Sequence, residues 1–233
     1  MRDLIEEPSP GATAALVCFT GYIPDITKSE DFFEFRQSTS QLTTMSRFYI
    51  RDRHNDWYCN GCTSIPRGAS GLEEYLASVR RLHTRLAVVG NSMGGYAALR
   101  YGCSIGADLV IAVSPQSYIS TGARERTGDI RWPADMARIN AADQAIDISN
   151  SATWRPDTTL IFHANDPLDL THVEQFRGSP ATIIPLNEDA RHETAAAWLR
   201  DAGIINGAIS ALERGEDPIS RVLSSLPRAM TAD

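Results

Sequence analysis

Short apolar runs alternate with amphipathic stretches along this chain, the order that a mostly parallel sheet covered by helices on both faces produces. Ala14-Ala15-Leu16-Val17-Cys18-Phe19 reads as a buried strand that leads into a loop, Thr20-Gly21-Tyr22-Ile23-Pro24, and Phe48-Tyr49-Ile50 as a second, shorter strand. A helix follows over 71–83, with Leu72, Tyr75, Leu76, Val79 and Leu82 on one face. Further strands are expected at 86–89, 108–113, 158–163 and 181–185, about six in all, and further helices at 169–177 and 193–202. The stretch 116–156 is polar and irregular, with a short helix at 134–138, and leaves room for at most a small cap. Beyond Gly215 the sequence is mixed and reads as surface. The expectation is a doubly wound α/β fold forming a single domain over 1–233.

One turn stands out within this frame. Gly90-Asn91-Ser92-Met93-Gly94-Gly95 lies between the apolar run Leu86-Ala87-Val88-Val89 and the helix-forming run Tyr96-Ala97-Ala98-Leu99-Arg100. A serine on a tight strand-to-helix turn is held in a strained backbone with its oxygen clear of the sheet, and flanking glycines leave room for that turn. Ser92 is therefore a candidate nucleophile.

A serine hydroxyl needs an imidazole to take its proton and a carboxylate to hold that imidazole in the right tautomer. Both should follow the serine in chain order, on loops at the carboxyl ends of strands. Asp166 directly follows the strand at 158–163 and is the expected acid, with Asp169, three residues on, as the alternative. Either could instead cap the helix beginning near Leu168, the stronger reading for Asp169. Among the five histidines His192 fits best, because it lies in a polar loop beyond the last strand. His54 precedes the serine, His83 ends a helix at the opposite edge, His172 lies inside a helix, and His163 ends a buried strand. Acyl transfer also requires donors for a developing oxyanion: the turn after Ser92 offers the Met93 N–H, and the loop Phe19-Thr20-Gly21-Tyr22 offers the Tyr22 N–H.

Together these residues resemble the α/β-hydrolase superfamily, in the elbow at 90–95, the loop Thr20-Gly21-Tyr22, the turn Asn165-Asp166-Pro167 and the late His192. The resemblance implies a serine hydrolase or acyl transferase acting on an ester or thioester, with Ser92 as nucleophile, Asp166 as orienter and His192 as base, and without metal or organic cofactor. Thr20 stands where many members carry histidine.

Composition narrows the alternatives. A net charge of −7 and no Lys/Arg run argue against nucleic acid as a partner. No stretch reaches the length of a membrane span, and acids occupy the amino terminus where a secretory peptide would be apolar, so a cytoplasmic protein with a small-molecule or carrier-bound acyl substrate is expected. Cys59-Asn60-Gly61-Cys62 raises a redox or metal reading, but no helix follows directly and no second ligand pair exists. A hydrolase-like fold that binds without catalysing is the remaining alternative.

Overall fold

The computed structural model describes residues 2–25, 31–148, 159–186 and 191–226. Among the described residues seven strands form one sheet: β1 (Leu4–Glu7), β2 (Ala14–Phe19), β3 (Ser46–Ile50), β4 (Arg85–Asn91), β5 (Leu109–Val113), β6 (Thr159–His163) and β7 (Thr182–Pro185). Their order is β1-β3-β2-β4-β5-β6-β7, and every neighbouring pair is parallel except β1 with β3. Sequence patterning misses β1, a four-residue edge strand whose end is charged: Glu7 pairs with Arg36 and Arg47. Charges of this kind blunt an otherwise open sheet edge.

β2, β5 and β6 are buried at every position, as parallel strands covered on both faces must be. Alternate residues feed two separate cores. Val17, Phe19, Val88, Val110 and Ile161 pack with residues of α1 (Gly68–Leu82) and α2 (Met93–Ser104). Leu16, Cys18, Val89, Ile111 and Phe162 pack with α6 (Ala195–Asp201), α7 (Ile204–Arg214) and α8 (Pro218–Ser225). The segment beyond Gly215 thus contributes a helix, with Val222 in the core, where a surface tail was expected.

The segment after β5 is also more ordered than its polarity suggests. It forms α3 (Thr121–Thr127) and α4 (Pro133–Ala141), which bury Ala123, Arg124, Met136 and Ile139. After β6, α5 (Pro167–Val173) runs into a 3-10 turn, Glu174–Phe176. Four adjacent strands, β2, β4, β5 and β6, deliver the residues that follow their carboxyl ends to one edge of the sheet, the position where open α/β sheets bind ligands.

Candidate active site

Ser92 joins β4 to α2 with φ 54° and ψ −116°, a conformation few L-residues adopt. Its N–H donates to the Val113 carbonyl at 2.8 Å, fixing the turn to the neighbouring strand. The flanking glycines are steric requirements. A methyl on Gly90 would overlap the Gly94 carbonyl, one on Gly94 would overlap the Phe19 carbonyl, and Gly95 lies against Val113 and Pro115. The turn is thereby packed tightly against the loop that follows β2.

The Ser92 Oγ stands 2.9 Å from Nε2 of His192, a residue one hundred positions downstream. The other ring nitrogen, Nδ1, lies 2.8 Å from Oδ1 of Asp169. Because the carboxylate only accepts, Nδ1 carries the proton and Nε2 is left to accept from the serine. Asp169 is 1% exposed. Burial opposes its charge, but the His192 hydrogen bond and the Arg131 guanidinium outweigh it and hold the carboxyl below the usual carboxylate range.

Asp166, the acid expected from sequence, does not occupy this position. Its extended backbone makes it the N-cap of α5, and its Oδ1 accepts from the N–H groups of Leu168 (2.9 Å) and Asp169 (3.2 Å). The two aspartates have exchanged the roles read from sequence: Asp166 caps and Asp169 reaches the imidazole. Pro167 was the available signal. Proline favours the first helical position, so an Asp directly before it is already committed to capping.

Sequence reasoning gave no role to Arg131, which falls in the stretch 116–156 read there as polar and irregular. Its Nη1 donates to Asp169 Oδ1 at 2.8 Å and passes 3.3 Å from His192 Nδ1; both nitrogens are donors, so the second approach is a contact rather than a bond. Asp129 grips the same guanidinium through both oxygens at 3.0 to 3.3 Å, and accepts from the Arg131 backbone N–H at 2.9 Å and from His172 Nε2 at 2.8 Å. Burial works against the Asp129 charge, yet His172 and Arg131 hold the carboxyl far below its ordinary range. His172 Nδ1 accepts from the Ser117 N–H, which fixes the neutral tautomer, and burial lowers this imidazole's proton affinity further. This chain of contacts ties the α3–α4 segment to α5 and sets a cation against the carboxylate beneath His192.

Aromatic rings line the same edge. Trp132 lies 5.8 Å from the His192 ring, 5.7 Å from Tyr22 and 5.4 Å from Trp57 between centroids. Trp57 is placed by Asp52, whose carboxylate accepts from the N–H groups of His54, Asp56 and Tyr58 and so closes the turn after β3. The Tyr22 hydroxyl donates to Asp135 of α4 at 3.0 Å.

On the opposite side, Glu34 fastens the loop after β2 to the serine turn. Its carboxylate accepts from the Gly21 N–H at 2.8 Å and from Asn91 Nδ2 at 3.0 Å, and its own N–H donates to Thr20 Oγ1. Burial pushes this carboxyl up to about 7, against the opposing pull of those two donors and of Arg200. Tyr22 N–H and Met93 N–H, the two expected oxyanion donors, make no hydrogen bond among the described residues. Met93 is the first residue of α2, where no carbonyl of its own helix is within reach.

Cys59 and Cys62 are free, buried thiols. Burial pushes them up to about 11 and about 12, the direction that suppresses the thiolate needed for exchange or metal binding. Among the described residues no His, Cys, Asp and Glu side chains gather as a metal cluster, and no helix is long and apolar enough to cross a membrane. A cavity of about 400 Å³ between α3 and α4 lies behind Asp129, and its walls include neither Ser92 nor His192.

Comparison with known proteins agrees with this architecture. The capsule O-acetyltransferase of Neisseria meningitidis serogroup A superposes with a TM-score of 0.57 at 15% identity, covering 89% of this chain and 90% of that one. The Glycosylation Associate Protein complex of Streptococcus agalactiae gives a TM-score of 0.59 at 16% identity over 92% of this chain and 45% of its own. At such identities the likeness is one of fold. A search of curated proteins yields no match. The Alpha/beta hydrolase family matches residues 52–231, a span that holds the serine turn, the α3–α4 segment, Asp169 and His192, and the chain belongs to that family.

Proposed function

We propose that the protein is a serine-dependent acyl transfer enzyme that takes an acyl group from an ester or thioester and passes it to water or another acceptor. Ser92 is the nucleophile, His192 the general base and acid, and Asp169 the carboxylate that holds His192. In acylation the Ser92 Oγ attacks the carbonyl carbon as its proton moves to His192 Nε2, and the tetrahedral oxyanion is met by the N–H groups of Met93 and Tyr22. The protonated imidazole then gives its proton to the leaving oxygen or sulfur. Asp169 stabilises the imidazolium without taking its proton.

The observation that carries this reading is the unbroken row from hydroxyl to imidazole to carboxylate, at 2.9 and 2.8 Å. The N–H groups of Met93 and Tyr22, which have no hydrogen-bond partner among the described residues, are free to serve as oxyanion donors. Glu34 and Gly21 hold the Tyr22 loop close against the residue preceding Ser92.

The test is turnover of a panel of activated esters and thioesters of increasing acyl length by wild type and Ser92→Ala. The substitution is expected to abolish turnover while far-UV circular dichroism stays unchanged. Full activity in a folded Ser92→Ala variant would reject the proposal.

A further inference from the structure

Gln116 stands outside the Ser92–His192–Asp169 row, yet its side chain touches the serine oxygen. It lies just past β5, beyond a sharp turn in which Ser114 has φ 42° and Pro115 packs on Gly95, and it is fully buried. The surroundings fix which way its amide faces. The Trp57 indole N–H can only donate, and it lies 3.1 Å from Oε1. Nε2 therefore faces the other way, 3.3 Å from the Ser114 carbonyl, which can only accept, and 3.2 Å from Ser92 Oγ. Oε1 is farther from Oγ, at 3.5 Å. The flipped amide would set NH₂ against an indole N–H and oxygen against a carbonyl. One amide hydrogen thus goes to Ser114 and the other to Ser92, whose own hydrogen goes to His192.

We propose that Gln116 is a catalytic residue, a fixed hydrogen-bond donor to Ser92 Oγ that steadies the electron pair on that oxygen when the acyl–enzyme bond breaks. This rests on the acyl transfer reading above. In deacylation the acceptor oxygen attacks the acyl carbon and its proton passes to His192 Nε2. The tetrahedral adduct then collapses, the C–Oγ bond breaks with its electron pair remaining on Oγ, and His192 returns the proton to Oγ. The amide N–H is aimed at the atom on which that pair gathers. In acylation the donor already holds Oγ in the free hydroxyl, so the starting state and the transition state are steadied alike and the net help is small. The contribution falls on deacylation.

The experiment uses the full chain and the activated ester p-nitrophenyl acetate, following the burst and the steady state in wild type, Gln116→Leu and Gln116→Glu, with fluorophosphonate labelling as an independent measure of attack by Oγ. Gln116→Leu is expected to slow deacylation about ten- to a hundred-fold, with acyl-enzyme accumulating in the intact mass spectrum, while the labelling rate stays within about threefold of wild type. In Gln116→Glu the ionised carboxylate faces Oγ as an acceptor and the protonated acid as a donor, so deacylation measured relative to wild type at the same pH should recover as pH falls, a response that packing alone does not produce. Unchanged deacylation in both folded variants, or equal loss of acylation and deacylation, would overturn the proposal. A wild type that neither turns over the ester nor takes the label would remove the acyl transfer reading, and this inference with it. Reactive wild type with indifferent Gln116 variants would remove the inference alone.

Discussion

Two aspartates three positions apart divide the labour at the end of β6, and the division depends on where each proton-accepting oxygen already has a partner. Asp166 spends its carboxylate on two N–H groups at the start of α5, whereas Asp169, one turn further, meets both His192 and Arg131. Asp169→Asn is therefore expected to lower kcat by about three to four orders of magnitude, because an amide no longer enforces the tautomer that leaves Nε2 free. Asp166→Ala should leave kcat nearly intact and reduce stability by about 1 kcal/mol, the usual value of an N-cap. Steady-state kinetics and urea unfolding of the two variants separate these roles, and the reverse pattern would restore Asp166 as the acid. His192 was legible from its chain order and its place in a polar loop beyond the last strand. Gln116, Arg131 and Trp132 were given no role at the site because they meet it across 24 to 61 positions of chain, inside a segment whose local polarity resembles plain loop.

At the level of elements, the strands were legible because burial on both faces demands continuous apolar runs, and β2, β4, β5 and β6 have them. The turn between β4 and α2 was legible for a different reason: only glycine fits at positions 90 and 94 beside a residue with φ 54°. α7 was readable and missed, since Gly203 and Gly215 bracket Ile204, Ile205, Ala208, Ile209 and Leu212 at helical spacing. The strain at Ser92 has a measurable consequence. Ser92→Gly relieves an unfavourable φ that Ser92→Ala retains, so the glycine variant should be about 1 kcal/mol more stable than the alanine variant in urea, although both are expected to be inactive. Equal stability of the two would mean that the turn stores no strain.

Across the whole molecule, buried carboxyls shifted in opposite directions shape the dependence of stability on pH. Asp129 and Asp169 are held below their ordinary range, so the stability they contribute is present above the unfolded value of about 4 and is lost as pH falls through their folded values. Glu34 behaves oppositely. Burial raises it to about 7, so between the unfolded value of about 4.5 and about 7 the native state holds a proton that the unfolded chain has released, and stability falls as pH rises through that window. Partial screening leaves an effect of about 1 to 3 kcal/mol between about pH 5 and about pH 8. Glu34→Gln cannot titrate and should lack that loss, so the difference in urea midpoint between variant and wild type should grow over the window. A constant difference would place Glu34 at its ordinary value.

These long-range ties converge on one arrangement, in which a hydroxyl just after β4, an imidazole before α6 and a carboxylate on α5 stand in one hydrogen-bonded row. The measurement that bears most directly on it is the site of covalent modification by a fluorophosphonate, mapped by peptide mass spectrometry in wild type and in His192→Ala. Stoichiometric adduct on Ser92 that becomes at least about a thousandfold slower to form without His192 is the expected result. Adduct on another residue, or undiminished labelling of Ser92 in the His192→Ala variant, would contradict it.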